Sequence, residues 1–238
     1  MFKVIKLKTL LIGIAVLVLS AAIVTAVVLG VKKAKKEEKA FSPLPKQTIV
    51  IDAGHGGADP GVTGVKTGIK ESDLNLKMAL ILGDLFSSAG YRSVQTRYGE
   101  GSTMEGAFDK SKDMETRRSV IRSSDPALVI SIHMNKYEDA SRRGVQVFYS
   151  TEESAAFAEE MQAHLNQTMN EPTLGRAFET IRGEYYIAES SDAPSIIIEC
   201  AFLSNPIDES LISDSDYRLR LAIEIEKAAE RYLSGNPS

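Results

Sequence analysis

The stretch Ile49–Gly61, IVIDAGHGGADPG, sets an imidazole between glycines directly after an apolar run. Ile49, Val50 and Ile51 have the composition of a buried strand, and the glycines that follow break it into a turn. Similar apolar runs recur at intervals: strands are expected at Thr48–Asp52, Arg92–Thr96, Ala127–His133, Gly144–Tyr149 and Ser195–Cys200. Amphipathic stretches alternate with them, and predict helices at Ser72–Ala89, Asp113–Ser123, Glu152–Met169 and Asp216–Leu233. Strands alternating with helices make an α/β sheet covered by helices. Gly99–Lys112 carries no pattern and reads as an exposed loop.

In open α/β sheets, ligand groups collect at the carboxyl ends of the strands. Three of the expected strands end there in chemistry-bearing residues: His55 just after the first, His133 closing LVISIH, and Glu199 closing PSIIIEC. A carboxylate ending a run of isoleucines is unfavourable to bury without a cationic partner. A metal ion would supply that charge, and catalytic zinc typically takes three protein ligands, often two histidines and a carboxylate. Asp52, Asp59, Glu71 and Asp73 are the candidates for the carboxylate. Asp59-Pro60 has turn chemistry, and Asp52 is expected to hydrogen-bond the glycine-rich turn. Glu71 opens a helix and is placed to project back over the His55 loop. Spacing puts Glu71 only slightly ahead of Asp59, with Asp73 third.

Taken singly, a histidine in a turn or at a strand end is ordinary. Two of only three histidines falling at strand ends is a stronger signal. The third, His164, lies in the amphipathic stretch EEMQAHLNQ and reads as a surface or packing residue. The single cysteine, Cys200, adjoins Glu199. Successive strand side chains face opposite ways, so a Glu199 aimed at the site sends Cys200 into the core.

At 238 residues and a formal charge of −4, the chain suits one folded domain and not a nucleic-acid binder. From Thr9 to Val31 it runs TLLIGIAVLVLSAAIVTAVVLGV without a charge, long enough to cross a bilayer as a helix. The expected organisation is a short basic flank at residues 1–8, a transmembrane anchor at 9–31, a charged and proline-containing tether at 32–46, and a folded domain at 47–238. A signal peptide cleaved near Val24-Thr25-Ala26 is the alternative, although the apolar run continues past that site. Lysines are more numerous after the run than before it, and lysine bias alone would leave the domain in the cytoplasm.

Four blocks, VIDAGHGGADPGVTG, KESDLNL, VISIHMN and SIIIECAFLSNP, resemble the signature segments of the zinc-dependent N-acetylmuramoyl-L-alanine amidases, the amidase 3 family. The resemblance runs from about Thr48 to the C-terminal helix. It implies a mixed, mostly parallel sheet flanked by helices, one Zn2+ held by His55, Glu71 and His133, and Glu199 as the catalytic carboxylate. It also decides between Glu71 and Asp59. The implied reaction is hydrolysis of the amide joining the lactyl group of N-acetylmuramic acid to L-alanine of the peptidoglycan stem peptide, with Glu199 moving the proton.

A bare domain behind one hydrophobic segment looks most like the sporulation amidases that prepare cortex peptidoglycan for muramic-δ-lactam formation. That resemblance implies a membrane-anchored enzyme with its domain on the outer, cell-wall side, facing the cortex in a sporulating cell, and an activating or zinc-loading partner protein is a further expectation. Only Asn170–Glu189 is available for a self-inhibitory insertion, so none is expected. Asn135 and Arg97 match recurring positions, each as a substrate contact or a structural hydrogen bond. Ala201, Lys136 and Glu189 depart from the usual pattern and touch none of the implied ligands. Two other readings compete: an inactive peptidoglycan-binding or regulatory relative, and a membrane-tethered zinc peptidase.

Overall fold

In the computed structural model, which describes residues 19–20, 24–26, 46–101, 103 and 108–235, β1 spans Lys46–Ala53 and lies inside the sheet. The chain continues through α1 (Glu71–Ser88), β2 (Tyr91–Gln95), α2 (Lys110–Ser123), β3 (Leu128–Asn135) and β4 (Gln146–Tyr149). It then passes through α3 (Glu152–Leu165), α4 (Glu171–Leu174), β5 (Ile181–Arg182), β6 (Ser195–Phe202), α5 (Pro206–Ser213) and α6 (Ser215–Ser234). The six strands are ordered β2-β1-β3-β6-β4-β5. All neighbours run parallel except β4, which is antiparallel to β6. The expected mixed, mostly parallel sheet is therefore present.

After β1 the chain moves outward to β2, then returns across β1 to lay down β3. That reversal opens a crevice at the carboxyl ends of β1 and β3. His55 and His133 stand at this crevice, and the parallel register sets His133 beside Glu199 of β6.

One face of the sheet is apolar throughout. Ile49, Ile51 and Ala53 of β1, Leu128, Ile130 and Ile132 of β3, and Ile196, Ile198 and Cys200 of β6 pack there. Leu74, Met78, Leu82 and Phe86 of α1 cover them, together with residues of α3 and α6. The opposite face has a small apolar patch, Val50, Val129, Ile121 of α2 and Ile187.

Several boundaries differ from expectation for identifiable reasons. The helix expected to reach Met169 is α-helical only to Leu165 and continues as a π-helical turn, Asn166–Asn170. Asn170 Oδ1 accepts the Val145 amide at 2.8 Å while its Nδ2 donates to the Val145 carbonyl at 2.9 Å. This side chain substitutes for a strand partner, and β4 begins one residue later, at Gln146. Asp109 caps α2, accepting from Ser111 N and Lys112 N, so Lys110–Lys112 are helical where a loop was expected. Ser102 and residues 104–107 of that loop lie outside the described residues. Helix α5 was not anticipated, although Asn205 at its cap and Pro206 at its first position are start signals.

The expected membrane segment at 9–31 falls almost entirely outside the described residues, of which 19–20 and 24–26 are helical. Among the described residues no helix is long and apolar enough to cross a membrane. Pro45–Ser238 form a compact unit of their own.

Candidate metal centre

Beyond β1 the glycine-rich turn folds back on itself, with Gly56 N donating to Asp59 O at 2.8 Å and Asp59 N to Gly56 O at 3.1 Å. His55 takes up φ 61 in this turn, a left-handed conformation that non-glycine residues hold only where surrounding contacts enforce it. Its Nδ1 lies 2.9 Å from Asp59 Oδ2 and its Nε2 3.3 Å from Glu71 Oε1. Asp59 Oδ1 accepts Gly61 N at 3.1 Å. Asp59 thus fixes the imidazole and leaves Nε2 facing the cluster, the part an outer carboxylate plays behind a ligating histidine. Weighed as a ligand, Asp59 stands behind His55 instead.

Glu71 begins α1 and is 2 % exposed. Its Oε1 lies 2.9 Å from His133 Nδ1 and accepts Met134 N at 3.1 Å and Asn75 Nδ2 at 3.2 Å, while Oε2 accepts Val62 N at 2.9 Å. Burial pushes this carboxyl up, but His133 and His55 outweigh it and hold the group well below the usual carboxylate range. Burial pulls the His55 imidazole down, and Glu71 and Asp59 together bring it above its ordinary value. One donor atom from each of His55, Glu71 and His133 lies within 4.8 Å of the others. The imidazole rings meet edge to face, 5.0 Å between centroids. Gly54 makes room for this, since a Cβ there would overlap the His133 ring.

Glu199 completes the arrangement. Its Oε2 is buried and has no hydrogen-bond partner. Burial, reinforced by the negative Glu71, pushes its carboxyl up to about 7, although His133 and His55 pull the other way. No lysine or arginine pairs with it among the described residues. Among the described residues, then, no lysine or arginine is the cationic neighbour expected of this strand-end carboxylate, and the two-histidine, one-carboxylate set beside it is one a divalent ion takes. The residues fit a metal.

Asp73 lies outside the cluster, its carboxylate 3.5 Å from Ser72 Oγ. Asp52 does not bond the turn as expected: it accepts Thr96 Oγ1 and Ser131 Oγ at 2.6 Å each and Arg117 Nη1 at 2.8 Å. Burial pushes it up, but the Arg117 charge and the two hydroxyls bring it to about 2. Arg97 is 4 % exposed and spends its guanidinium on the carbonyls of Ala53, Gly54, Ser72 and Gly99. Asn135 Oδ1 accepts Lys136 N at 2.8 Å. Cys200 is fully buried on the apolar face, and burial pushes its thiol up. His164 packs between α3 and α6, with Nε2 2.7 Å from Glu224 and Nδ1 against Arg231.

Arg117 was not anticipated. Asp113, Arg117 and Ile121 recur every fourth residue and are the buried positions of α2. A charged pair on the same stripe as an isoleucine was the available signal.

Beside the cluster lies a cleft of about 150 Å³, lined among others by His55, Asp59, His133, Lys110, Met114 and Ile187. Asn170–Glu189 holds only the end of the π-helical turn, the four-residue α4, the two-residue β5 and turns, with no long helix.

A mixed α/β sheet with a His–Glu–His cluster at its switch point, facing a protonatable carboxylate, is the framework of a hydrolase. Residues 49–231 match the family described as N-acetylmuramoyl-L-alanine amidase, Amidase_3, and the chain belongs to that family. It is 30% identical over 204 residues to the germination-specific N-acetylmuramoyl-L-alanine amidase of Bacillus subtilis, covering 82% of this chain and 84% of that one. It is 28% identical over 195 residues to the N-acetylmuramoyl-L-alanine amidase LytC of the same organism, covering 80% of this chain and 36% of LytC. Among solved structures, the CwlD amidase from Clostridioides difficile, in complex with the GerS lipoprotein, superposes with a TM-score of 0.74 at 28% identity, covering 80% of this chain and all of that one (100%). The protein is accordingly an amide hydrolase of the N-acetylmuramoyl-L-alanine amidase type.

Proposed function

We propose that the chain is a zinc-dependent amidase of spore-cortex peptidoglycan, with His55, Glu71 and His133 as ligands and Glu199 as general base and acid. The observation that carries this reading is the buried Oε2 of Glu199, which has no hydrogen-bond partner and is set by strand register beside His133. Zinc bound there would polarise the scissile carbonyl and lower the pKa of water from about 15.7 towards about 7. Glu199, whose carboxyl burial raises in the metal-free site and which a zinc ion beside it would hold in the ionised form a base needs, is placed to accept a proton from the attacking water and return it to the departing amine of L-alanine. Asp59 keeps the His55 ring oriented, and the Glu71 carboxylate is preset by two backbone amides.

The cortex assignment is supported by the similarity to the germination-specific enzyme of Bacillus subtilis and to CwlD. That CwlD is solved with a lipoprotein supports an activating or zinc-loading partner of the same kind here. The anchor rests on the sequence of Thr9–Val31, and peptidoglycan as substrate requires the domain on the outer side of the membrane.

Digestion of purified peptidoglycan by the full chain tests the reading. Stem peptides bearing a new L-alanine amino terminus are expected from the unmutated protein and not from Glu199→Gln. Products cut within the peptide would mark a peptidase, and binding without any release would mark an inactive relative. A reporter fused after Ser238 reads the orientation, and a cytoplasmic signal would overturn the cell-wall assignment.

A further inference from the structure

The turn that carries His55 is held by more than its glycines. Its three successive carbonyls are all captured from outside. Ala53 O accepts Arg97 Nε at 2.9 Å and Arg117 Nη1 at 2.6 Å. Gly54 O accepts Arg97 Nη2 and Asn75 Nδ2, each at 3.0 Å. His55 O accepts Arg117 Nη2. Arg117 comes from α2, on the far side of the turn, and is 1% exposed. Its charge is balanced by Asp52, 2.8 Å from Nη1, and by Asp113, 2.8 Å from Nε. Asp113 in turn accepts Thr103 N at 2.8 Å and Thr103 Oγ1 at 2.7 Å.

A buried arginine that served only to pair charges would need its two carboxylates and nothing else. Arg117 instead turns two donors onto the backbone of the residue in the left-handed conformation and of Ala53, two residues before it. A planar guanidinium reaches all four acceptors at once, and an ammonium cannot. Holding a non-glycine residue at positive φ takes an external restraint of this kind.

We infer that Arg117 is a positioning residue of the metal centre: it fixes the strained backbone of His55 while Asp59 fixes the ring, so that Nε2 is aimed at the metal before the metal arrives. This rests on the reading of His55, Glu71 and His133 as ligands. The two restraints are independent, one reaching the histidine through its carbonyl and the other through Nδ1.

The test compares the full chain with Arg117→Lys, which keeps the charge between Asp52 and Asp113 and loses the fork. Zinc affinity is measured by titration, and cobalt(II) is substituted so that its visible spectrum reports ligand geometry. Thermal unfolding of the metal-free proteins is followed separately. Zinc binding weakened by about tenfold or more, with an altered cobalt spectrum in a protein that still unfolds cooperatively, is the expected result. Should the lysine variant not fold, Asp113→Asn, which loosens Arg117 from the side remote from the turn, is expected to move both readouts in the same direction. A folded variant with lower thermal stability but zinc affinity and cobalt spectrum indistinguishable from the unmutated protein would reduce Arg117 to a structural ion pair and overturn the inference. If the unmutated chain takes up neither metal, the ligand assignment itself fails.

Discussion

Along β3, Leu128, Ile130, Ile132 and Met134 turn toward α1, α3 and α6, whereas Val129, Ser131 and His133 turn toward α2. β1 divides in the same way, Ile49, Ile51 and Ala53 against Val50 and Asp52, and β6 puts Ile196, Ile198 and Cys200 opposite Ile197 and Glu199. The apolar face gains its stability by excluding water from large side chains. The face toward α2 keeps buried carboxylates, an arginine and imidazoles, each of which must be matched or left deliberately unmatched. Because the side-chain period of a strand is two, one sequence segment serves both purposes without compromise. The lesson is that stability and chemistry are separable here residue by residue.

Substitutions on the two faces should therefore move different observables. The largest effect is expected for Glu199→Gln: hydrolysis should fall by about 10²–10⁴-fold. In the metal-free protein the same change should not destabilise at neutral pH. A carboxyl raised to about 7 in the folded state binds protons that the unfolded chain has released, so stability declines as pH rises from 4.5 through 7, and glutamine removes that decline. Urea unfolding of the two proteins at pH 5 and pH 8 checks the sign.

Phe86→Ala, on the apolar face, should do the reverse. It should lose about 3–5 kcal/mol of folding stability while zinc affinity of the folded protein is retained, so a parallel loss of both would break the separation. Asp59→Asn should weaken zinc by about 10–100-fold, with little change in thermal stability, measured by competition against a coloured chelator. A fourth effect is acid lability. Asp52, held at about 2 by Arg117 and two hydroxyls against the opposing push of burial, contributes stability that is present above pH 3.8 and lost as pH falls through 2. Replacement by asparagine should flatten denaturation curves over that window by on the order of 2 kcal/mol. Smallest of all, Cys200→Ala should leave the rate of stem-peptide release unchanged, since the thiol faces away from Glu199. A loss of rate would break the comparison at its simplest point.

The alternation that separates the faces is also what made the fold readable. Runs such as LVISIH and PSIIIEC carry both the strand period and the site residue at their ends, so the sheet, His133 and Glu199 came from the same signal. Glu71 was different. Spacing barely distinguished it from Asp59, because both flank the His55 turn, and what separates them is that Asp59 faces Nδ1 while Glu71 lies between both imidazoles. Arg117 and the actual partners of Asp52 escaped because they lie far apart in sequence: Asp52, expected to bond the turn, meets Thr96, Ser131 and Arg117 only where β1, β3 and α2 come together. The π-helical turn at Asn166 was equally illegible, depending on where Val145 and Phe178 run past it.

The strand order β2-β1-β3-β6 assembles the site from stretches of chain far apart in sequence. His55 and Glu71 follow the first strand, but β1 acquires its inner neighbour only when β3 arrives bearing His133. The proposed ligands are then complete while the chain is still missing β6, and Glu199 comes with that last strand to be laid against β3. The residues proposed to hold the metal and the carboxylate proposed to move the proton are therefore supplied by separate stretches of chain, the first ending with β3 and the second arriving with β6.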